Sequence, residues 1–349
     1  MRPLAFARHR LLCGSLALCA CAVMPDGARA ASDDTTGRPA GQGVRFGMTA
    51  DPHLMGRNSP DNEAKFQRFV EAMIQWKPDF AIDLGDFACQ VGDRGGVSTP
   101  QLHDGQLRGL IHHVAVFARV PCPRYNVLGN HDVGWLRGGD ERIKPEDLYV
   151  RPHGGEDITK AEFIARTGIP HRHYAFDVKG VHFIVLDGNN PRDASCPEPG
   201  HDGVAGGYHL DAAQKAWLKK DLAAHRNQLK VVFSHQELHH TPKVGSREGG
   251  DVPFPPVGKE GSYIDNGWQI REMFRADGKV LVCFAGHKHR NRWTIHGGVN
   301  YITLAATHWH GSFAKVTISD TLKIDGFGRQ RSYVIPVRQQ SGRGRAHGK

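Results

Sequence analysis

The sequence has no Cys-x-x-Cys pair, so neither a thiolate zinc site nor a dithiol redox centre can be assembled from neighbouring cysteines. Of its seven cysteines, Cys13, Cys19 and Cys21 fall within the first thirty residues, which leaves Cys89, Cys122, Cys196 and Cys283 in the body. An oxidising compartment permits a disulfide, either Cys89–Cys122 or one involving Cys196, whereas Cys283, inside the apolar run Val280–Phe284, reads as a buried free thiol. Internal repeats and heptads are also missing, which excludes solenoids and coiled coils. Long apolar runs are scarce: Leu11–Met24 is interrupted by Pro25 and Asp26 after about fourteen residues, short of the roughly 20 that span a bilayer. Net charge is low where it would matter for a polyanion. The formal +9 resides in the four Arg and one Asp of residues 1–30 and in the five Arg and Lys349 of residues 326–349, leaving residues 31–325 near zero. A neutral body gives no support to strong nucleic-acid binding.

The termini therefore read separately from the body. Basic Met1–Arg10, the apolar run and the small-residue site Ala28-Arg29-Ala30 form a secretory signal cut before Ala31, which implies export to the periplasm or medium and a mature chain with no transmembrane anchor. A rival cut before Cys21, at Leu18-Cys19-Ala20-Cys21, would make a lipoprotein anchored through Cys21. Residues 31–43 are a polar, Gly-rich linker. The folded domain is expected over 44–327, and residues 328–349 form a basic, disordered tail.

Within that domain, short apolar runs of strand length recur: Val44–Thr49, Phe80–Leu84, Tyr125–Leu128, Val181–Leu186, Val231–Ser234, Val280–Ala285 and Tyr301–Leu304. Helical stretches lie between some of them. Asp61–Trp76 is the clearest, with Phe66, Phe69, Val70, Met73 and Ile74 spaced for one face; Leu102–Phe117, Asp211–Ala224 and Ile264–Phe274 follow. The alternation predicts an α/β fold. Residues 135–172 and 188–209, rich in Gly, Pro, His and charge, read as irregular binding loops.

The chemistry is concentrated where strands stop. Five of the runs exit into Asp51-Pro52-His53, Gly85-Asp86, Gly129-Asn130-His131-Asp132, His235 and Gly286-His287-Lys288-His289. Ligands of α/β sheets gather at the carboxyl ends of strands, so residues spread over about 240 positions can share one centre. Carboxylate, imidazole and amide oxygen suit Mn, Fe or Zn better than a thiophilic ion. A carboxylate shared by two ions would place them about 3.5–4 Å apart, the geometry that holds both oxygens of an in-line displacement at phosphorus. A further imidazole could then protonate the leaving oxygen.

This series, in order and spacing over about 44–290, resembles the calcineurin-like metallophosphoesterase superfamily. The resemblance implies a four-layered α/β/β/α sandwich with two divalent metal ions. It assigns Asp51, His53, Asp86 and His289 to one ion and Asp86, Asn130, His235 and His287 to the other, with Asp86 bridging. It gives His131 the catalytic imidazole, with Asp132 beside it where the family often has Glu. The implied function is hydrolysis of phosphate esters by a hydroxide held between the metals. Leu128 stands where protein phosphatases have Arg, and Cys89 where purple acid phosphatases have Tyr. The pattern of the second half is closer to the cyclic-nucleotide phosphodiesterases and the ADP-ribose/CDP-alcohol diphosphatases, which predicts a small phosphodiester or nucleotide-type diphosphate as substrate.

Two alternatives stand beside this expectation: an unselective phosphomonoesterase, and a non-catalytic metal- or phosphate-binding protein on the same scaffold. The second would be expected to have lost a ligand, and none is missing. Substrate contacts are expected from His308 and His310, which follow Tyr301–Leu304, and from His239 just past His235. Lys288, between two ligands, is expected to point away. No argument makes His171, His173, His201 or His209 ligands.

Overall fold

The computed structural model describes residues 43–54, 59–87, 100–133, 160–190, 208–238 and 263–337, all within one compact unit, Arg38–Lys349. The expected signal, the linker up to residue 42 and the expected tail from residue 338 onward lie outside the described residues. So do His239 and His201.

Two six-stranded sheets form the centre. The first joins β1 (Val44–Thr49), β2 (Phe80–Asp83), β3 (Arg124–Asn126), β10 (Phe313–Ile318), β11 (Thr321–Phe327) and β12 (Tyr333–Pro336) in the order β12-β11-β10-β1-β2-β3. The second joins β4 (Tyr174–Val178), β5 (Val181–Val185), β6 (Leu229–Ser234), β7 (Val280–Ala285), β8 (Arg292–His296) and β9 (Val299–Thr303) in the order β4-β5-β6-β7-β9-β8. β1, β2 and β3 run parallel, as do β5, β6, β7 and β9, so each group delivers its carboxyl ends to one edge.

Period-2 alternation builds the layers. Phe183, Val231, Phe233, Val282 and Phe284 face inward onto Phe46 and Phe80 of the first sheet, with the Phe46 and Phe80 rings stacked at 4.9 Å and Phe183 edge-on to Phe80 at 4.9 Å. The alternate residues Ile184, Val232 and Cys283 face outward, onto Leu218 and Leu222 of α4 (Ala212–Ala224) and Ile270 and Phe274 of α5 (Gly267–Asp277). On the first sheet's outer face, α1 (Ser59–Trp76) packs Phe66, Phe69, Val70 and Met73 with Val116 and Phe117 of α2 (Pro100–Phe117). The architecture is thus α/β/β/α. Gly47 permits the closest approach of α1, because a Cβ there would collide with the Met73 side chain. Truncating Phe46, fully buried between the sheets, should cost about 3–5 kcal/mol.

Two expectations change. The boundary at 327 falls inside a hairpin: β12 pairs with β11, Leu322 opposite Ile335 and Ile324 opposite Tyr333, so the ordered fold continues to Pro336. The stretch 135–172 is not wholly irregular, since it contains α3 (Lys160–Thr167), whose buried Lys160 Nζ donates to Asp187 at 2.6 Å and Asn190 at 2.8 Å. Cys122 is a free thiol among the described residues, while Cys89 and Cys196 lie outside them; Cys283 is free and buried, as expected. α4 begins where the sequence placed it, with the Asp211 carboxylate accepting from Gln214 N at 2.8 Å as N-cap.

Candidate metal centre

Three of the five strand exits turn through left-handed residues. Asp51, His53, Asp86, His287 and His289 have φ of 53°, 45°, 60°, 64° and 57°; among the described non-glycine residues only Lys77 and Lys179 share that region. A left-handed backbone costs a non-glycine residue about 1–2 kcal/mol, and clusters of such strain accompany sites that the surrounding fold holds in place. Here the holding is explicit. Asp51 N donates to Gly85 O at 3.0 Å and His53 N to Asp86 O at 3.0 Å, while Gly286 N donates to His235 O at 3.0 Å. The two sheets meet at Asp51, whose carboxylate oxygens both accept from His287 N at 3.1 Å.

The side chains converge in two groups that share one carboxylate. Ligand atoms of Asp51, His53, Asp86 and His289 lie within 4.8 Å of one another, and so do those of Asp86, His235 and His287. His53 Nε2 stands 3.2 Å from His289 Nε2, and His289 Nε2 stands 3.3 Å from Asp51 Oδ1. His235 Nε2 is 3.2 Å from Asp86 Oδ2 and 3.1 Å from Asn130 Oδ1, which adds the amide oxygen to the second group. Separations near 3.2 Å between donor atoms are what ligands about 2.1 Å from a common ion adopt. Buried His53 Nδ1 has no hydrogen-bond partner.

Electrostatics agree. Burial drives His53 and His287 down to about 3, so both rings are neutral and present lone pairs. At His235 burial acts downward but is outweighed by Asp86, which raises it to about 9; the Asp86 carboxyl itself, despite burial, is held well below the usual range by His235, His131 and His53. A cation taking the proton's place between these groups would satisfy all of them. Behind the site, burial raises Asp83 well above the carboxylate range, and it contacts His113 Nε2 at 2.9 Å.

His131 stands at the rim, its Nε2 4.0 Å from Asp86 Oδ2 with 22% of the side chain exposed, and its backbone N donates to Asp86 Oδ1 at 2.8 Å. Asp132 is turned the other way. Its Oδ2 accepts from Asp86 N at 2.8 Å and Gly129 N at 2.9 Å, and its Oδ1 from Phe87 N at 2.6 Å. It therefore ties the Asp86 exit to the Asn130-His131 exit. His308 joins the cluster: its ring lies 4.6 Å from His53 and 4.7 Å from His289, and its Nδ1 donates to Asp51 O at 2.9 Å. His310, on the same turn, is exposed and outside the converging groups. Lys288 Nζ sits 4.6 Å above the Tyr263 ring.

The profile of calcineurin-like phosphoesterases matches residues 44–291. The chain belongs to this family. The phosphoesterase is similar in structure to a dimetal phosphatase from Danio rerio, at 16% identity over 85% of this chain and 100% of that one, with a TM-score of 0.62. GAP50, the anchor in the inner membrane complex of Plasmodium, aligns at 12% identity over 86% of this chain and 90% of its own, with a TM-score of 0.48. No curated protein sequence matches. Family membership makes the protein a metal-dependent phosphoesterase, an enzyme, and the donor set just described fits divalent metal ions.

Some contributors to the site gave no sequence signal. Asn189 Nδ2 donates to Leu128 O at 2.8 Å, and Gln236 Nε2 donates to Asn189 Oδ1 at 2.6 Å. Together they link the exit carrying Asn130 to the exit carrying His235. Tyr208, preceded by Gly206-Gly207 in sequence, packs its ring 5.1 Å from His287. Trp309 places its indole 5.3 Å from His289. Only the position of Trp309, just past a strand exit, could have pointed to it.

Proposed function

We propose that this phosphoesterase hydrolyses a small phosphodiester or nucleotide-type diphosphate, with Asp51, His53, Asp86 and His289 holding one divalent ion and Asp86, Asn130, His235 and His287 the other. The observation that carries the reading is the sharing of Asp86 between two groups of ligand atoms, each within bonding reach of a single ion. Imidazole, carboxylate and amide oxygen suit Mn, Fe or Zn. When bound, two such ions supply Lewis-acid charge to the phosphoryl oxygens and acidify a water.

The chain's own residues do the rest. Neutral His53 and His287 offer lone pairs without first losing a proton. His131, fixed through its backbone to Asp86, keeps its imidazole at the open side, where it can give a proton to the leaving oxygen. Asp132 is a positioning residue, holding two ligand-bearing exits at a fixed separation through three amide hydrogen bonds. His308 lines the His53–His289 side of the centre.

Within the family, Leu128 and Cys89 replace the residues of protein phosphatases and purple acid phosphatases, which favours the diester and diphosphate branches. The test is a panel of aryl mono- and diesters, cyclic nucleotides, ADP-ribose and CDP-alcohols with Mn-loaded mature protein, compared by kcat/KM. Diesters or diphosphates should lead; a profile dominated by monoesters would replace this substrate class while leaving the ligand assignment intact. We also propose export, on the basic-apolar-small pattern of residues 1–30. Mass spectrometry of the exported chain should find Ala31 first, and a diacylated Cys21 would contradict it.

A further inference from the structure

We propose that Trp309 forms an aromatic subsite beside the metal centre, one that takes a planar ring, nucleobase or aryl, carried by the phosphate ester; the inference rests on the phosphoesterase reading above and narrows its substrate class.

Trp309 lies on α6 (Thr307–His310), a single turn stopped by left-handed Gly311. Its side chain is 52% exposed. Exposed apolar residues also occur singly on other elements, Ile111 on α2, Trp268 on α5 and Val334 on β12, and exposure alone needs no ligand to explain it. Two observations set Trp309 apart. Its ring touches two imidazoles of the cluster, standing 5.3 Å and 84° from His289 and 5.5 Å and 68° from His308. Its carrier is also fixed directly to the centre. Thr307 N donates to Ala50 O at 2.8 Å and His308 N to Asp51 O at 3.2 Å, while Lys65 Nζ donates to His308 O at 2.6 Å. The indole is thus a rigid ring at the mouth of the site, with half its surface open, adjacent to the ligands of one ion.

A phosphate at the two ions carries its substituent one ester bond away. Among the described residues, the exposed indole of Trp309 offers such a substituent an apolar surface on the His289 side. Stacking on an indole is insensitive to ring substituents, because every base or aryl group offers a π face, and its loss by truncation is worth about 1–3 kcal/mol per ring. A saturated substituent gains little of this. The consequence is a preference for aromatic over alkyl esters that one side chain controls.

The experiment compares methyl phenyl phosphate with methyl cyclohexyl phosphate, one diester with an aryl ring and one without, on wild type, Trp309→Ala and Trp309→Phe, so that the difference in leaving-group reactivity cancels between variants. The wild-type ratio of kcat/KM, phenyl over cyclohexyl, should fall about 5- to 150-fold in Trp309→Ala and be largely restored in Trp309→Phe. A ratio unchanged in Trp309→Ala, whether or not both rates fall together, overturns the subsite. A second arm reads binding alone: calorimetric affinities for AMP and for ribose 5-phosphate. AMP should bind wild type more tightly, and Trp309→Ala should erase the difference; equal affinities in wild type overturn the subsite. If wild type hydrolyses neither diester, the diester reading fails, and the AMP comparison still decides the subsite.

Discussion

Replacing Asp132 by Asn separates a positioning role from a chemical one. The carboxylate is almost fully buried and receives three backbone N–H groups, from Asp86 and Gly129 on one oxygen and Phe87 on the other. An amide retains a single acceptor. In its better orientation it keeps the Asp86 and Gly129 bonds and turns an NH2 toward the Phe87 N–H, so one charge-assisted bond is lost and a buried donor is left facing another. Such a loss is worth about 2–4 kcal/mol, a large fraction of the roughly 5–15 kcal/mol that holds a domain folded. Urea unfolding at fixed metal should show this drop, and Asp132→Ala, which loses all three bonds, a larger one. Metal affinity should weaken with it, because the exits carrying Asp86 and Asn130 are no longer clamped, and excess Mn should recover most of kcat. A variant with stability within about 0.5 kcal/mol of wild type and full metal content, yet a kcat reduced about 100-fold, would refute the reasoning and place Asp132 in the chemistry.

Three further outcomes are expected. His131→Ala should keep its metal while kcat falls by about 10²–10⁴, the usual contribution of a positioned proton donor; loss of metal would instead make His131 a ligand. Gly129→Ala should abolish metal binding, since a Cβ there collides with the Asp86 backbone nitrogen and carboxylate; metal content equal to wild type by elemental analysis would contradict this. His182 is buried, which lowers its pKa, but hydrogen bonds and charge from Asp177 and Asp221 outweigh burial and raise it from 6.5 to about 9. A raised folded-state pKa gives stability that is complete below about pH 6.5 and lost as pH climbs through about 9. The stability gap between wild type and His182→Gln should therefore be wide at pH 6 and narrow by pH 9.5; a gap independent of pH would show that the charge contributes nothing.

Sequence carried the site further than it carried the fold. Strands buried on both faces, such as Val280–Ala285, are continuous apolar runs bounded by polar exits, and the same exits hold the ligands, so one pattern exposed both. β10 was less legible: it enters the middle of the first sheet antiparallel to β1, from more than 260 positions along the chain, and a short period-2 segment carries no record of its partner. β11 did alternate, Leu322 and Ile324 buried against Lys323 and Asp325, yet its pairing with Tyr333–Pro336 depends on a tertiary contact. α3 was hidden because a buried Lys160 reads as solvent-facing until Asp187 and Asn190 are seen to surround it. In sequence Asp132 stands beside His131, whereas the turn directs its carboxylate onto backbone amides, an orientation that residue type cannot disclose.

On the proposed ligand assignment, Asp86 belongs to both ions of a two-metal centre. The most direct test is elemental analysis of the purified mature protein beside Asp86→Asn, with activity measured on the same samples. Up to two divalent ions per chain are expected in wild type, with a greater loss of metal and of activity in Asp86→Asn than in any variant of a ligand serving one ion, such as His53→Ala or His287→Ala, because only this carboxylate contributes to both. A metal-free preparation that hydrolyses phosphate esters at the wild-type rate, or an Asp86→Asn variant retaining the full metal complement, would contradict the assignment.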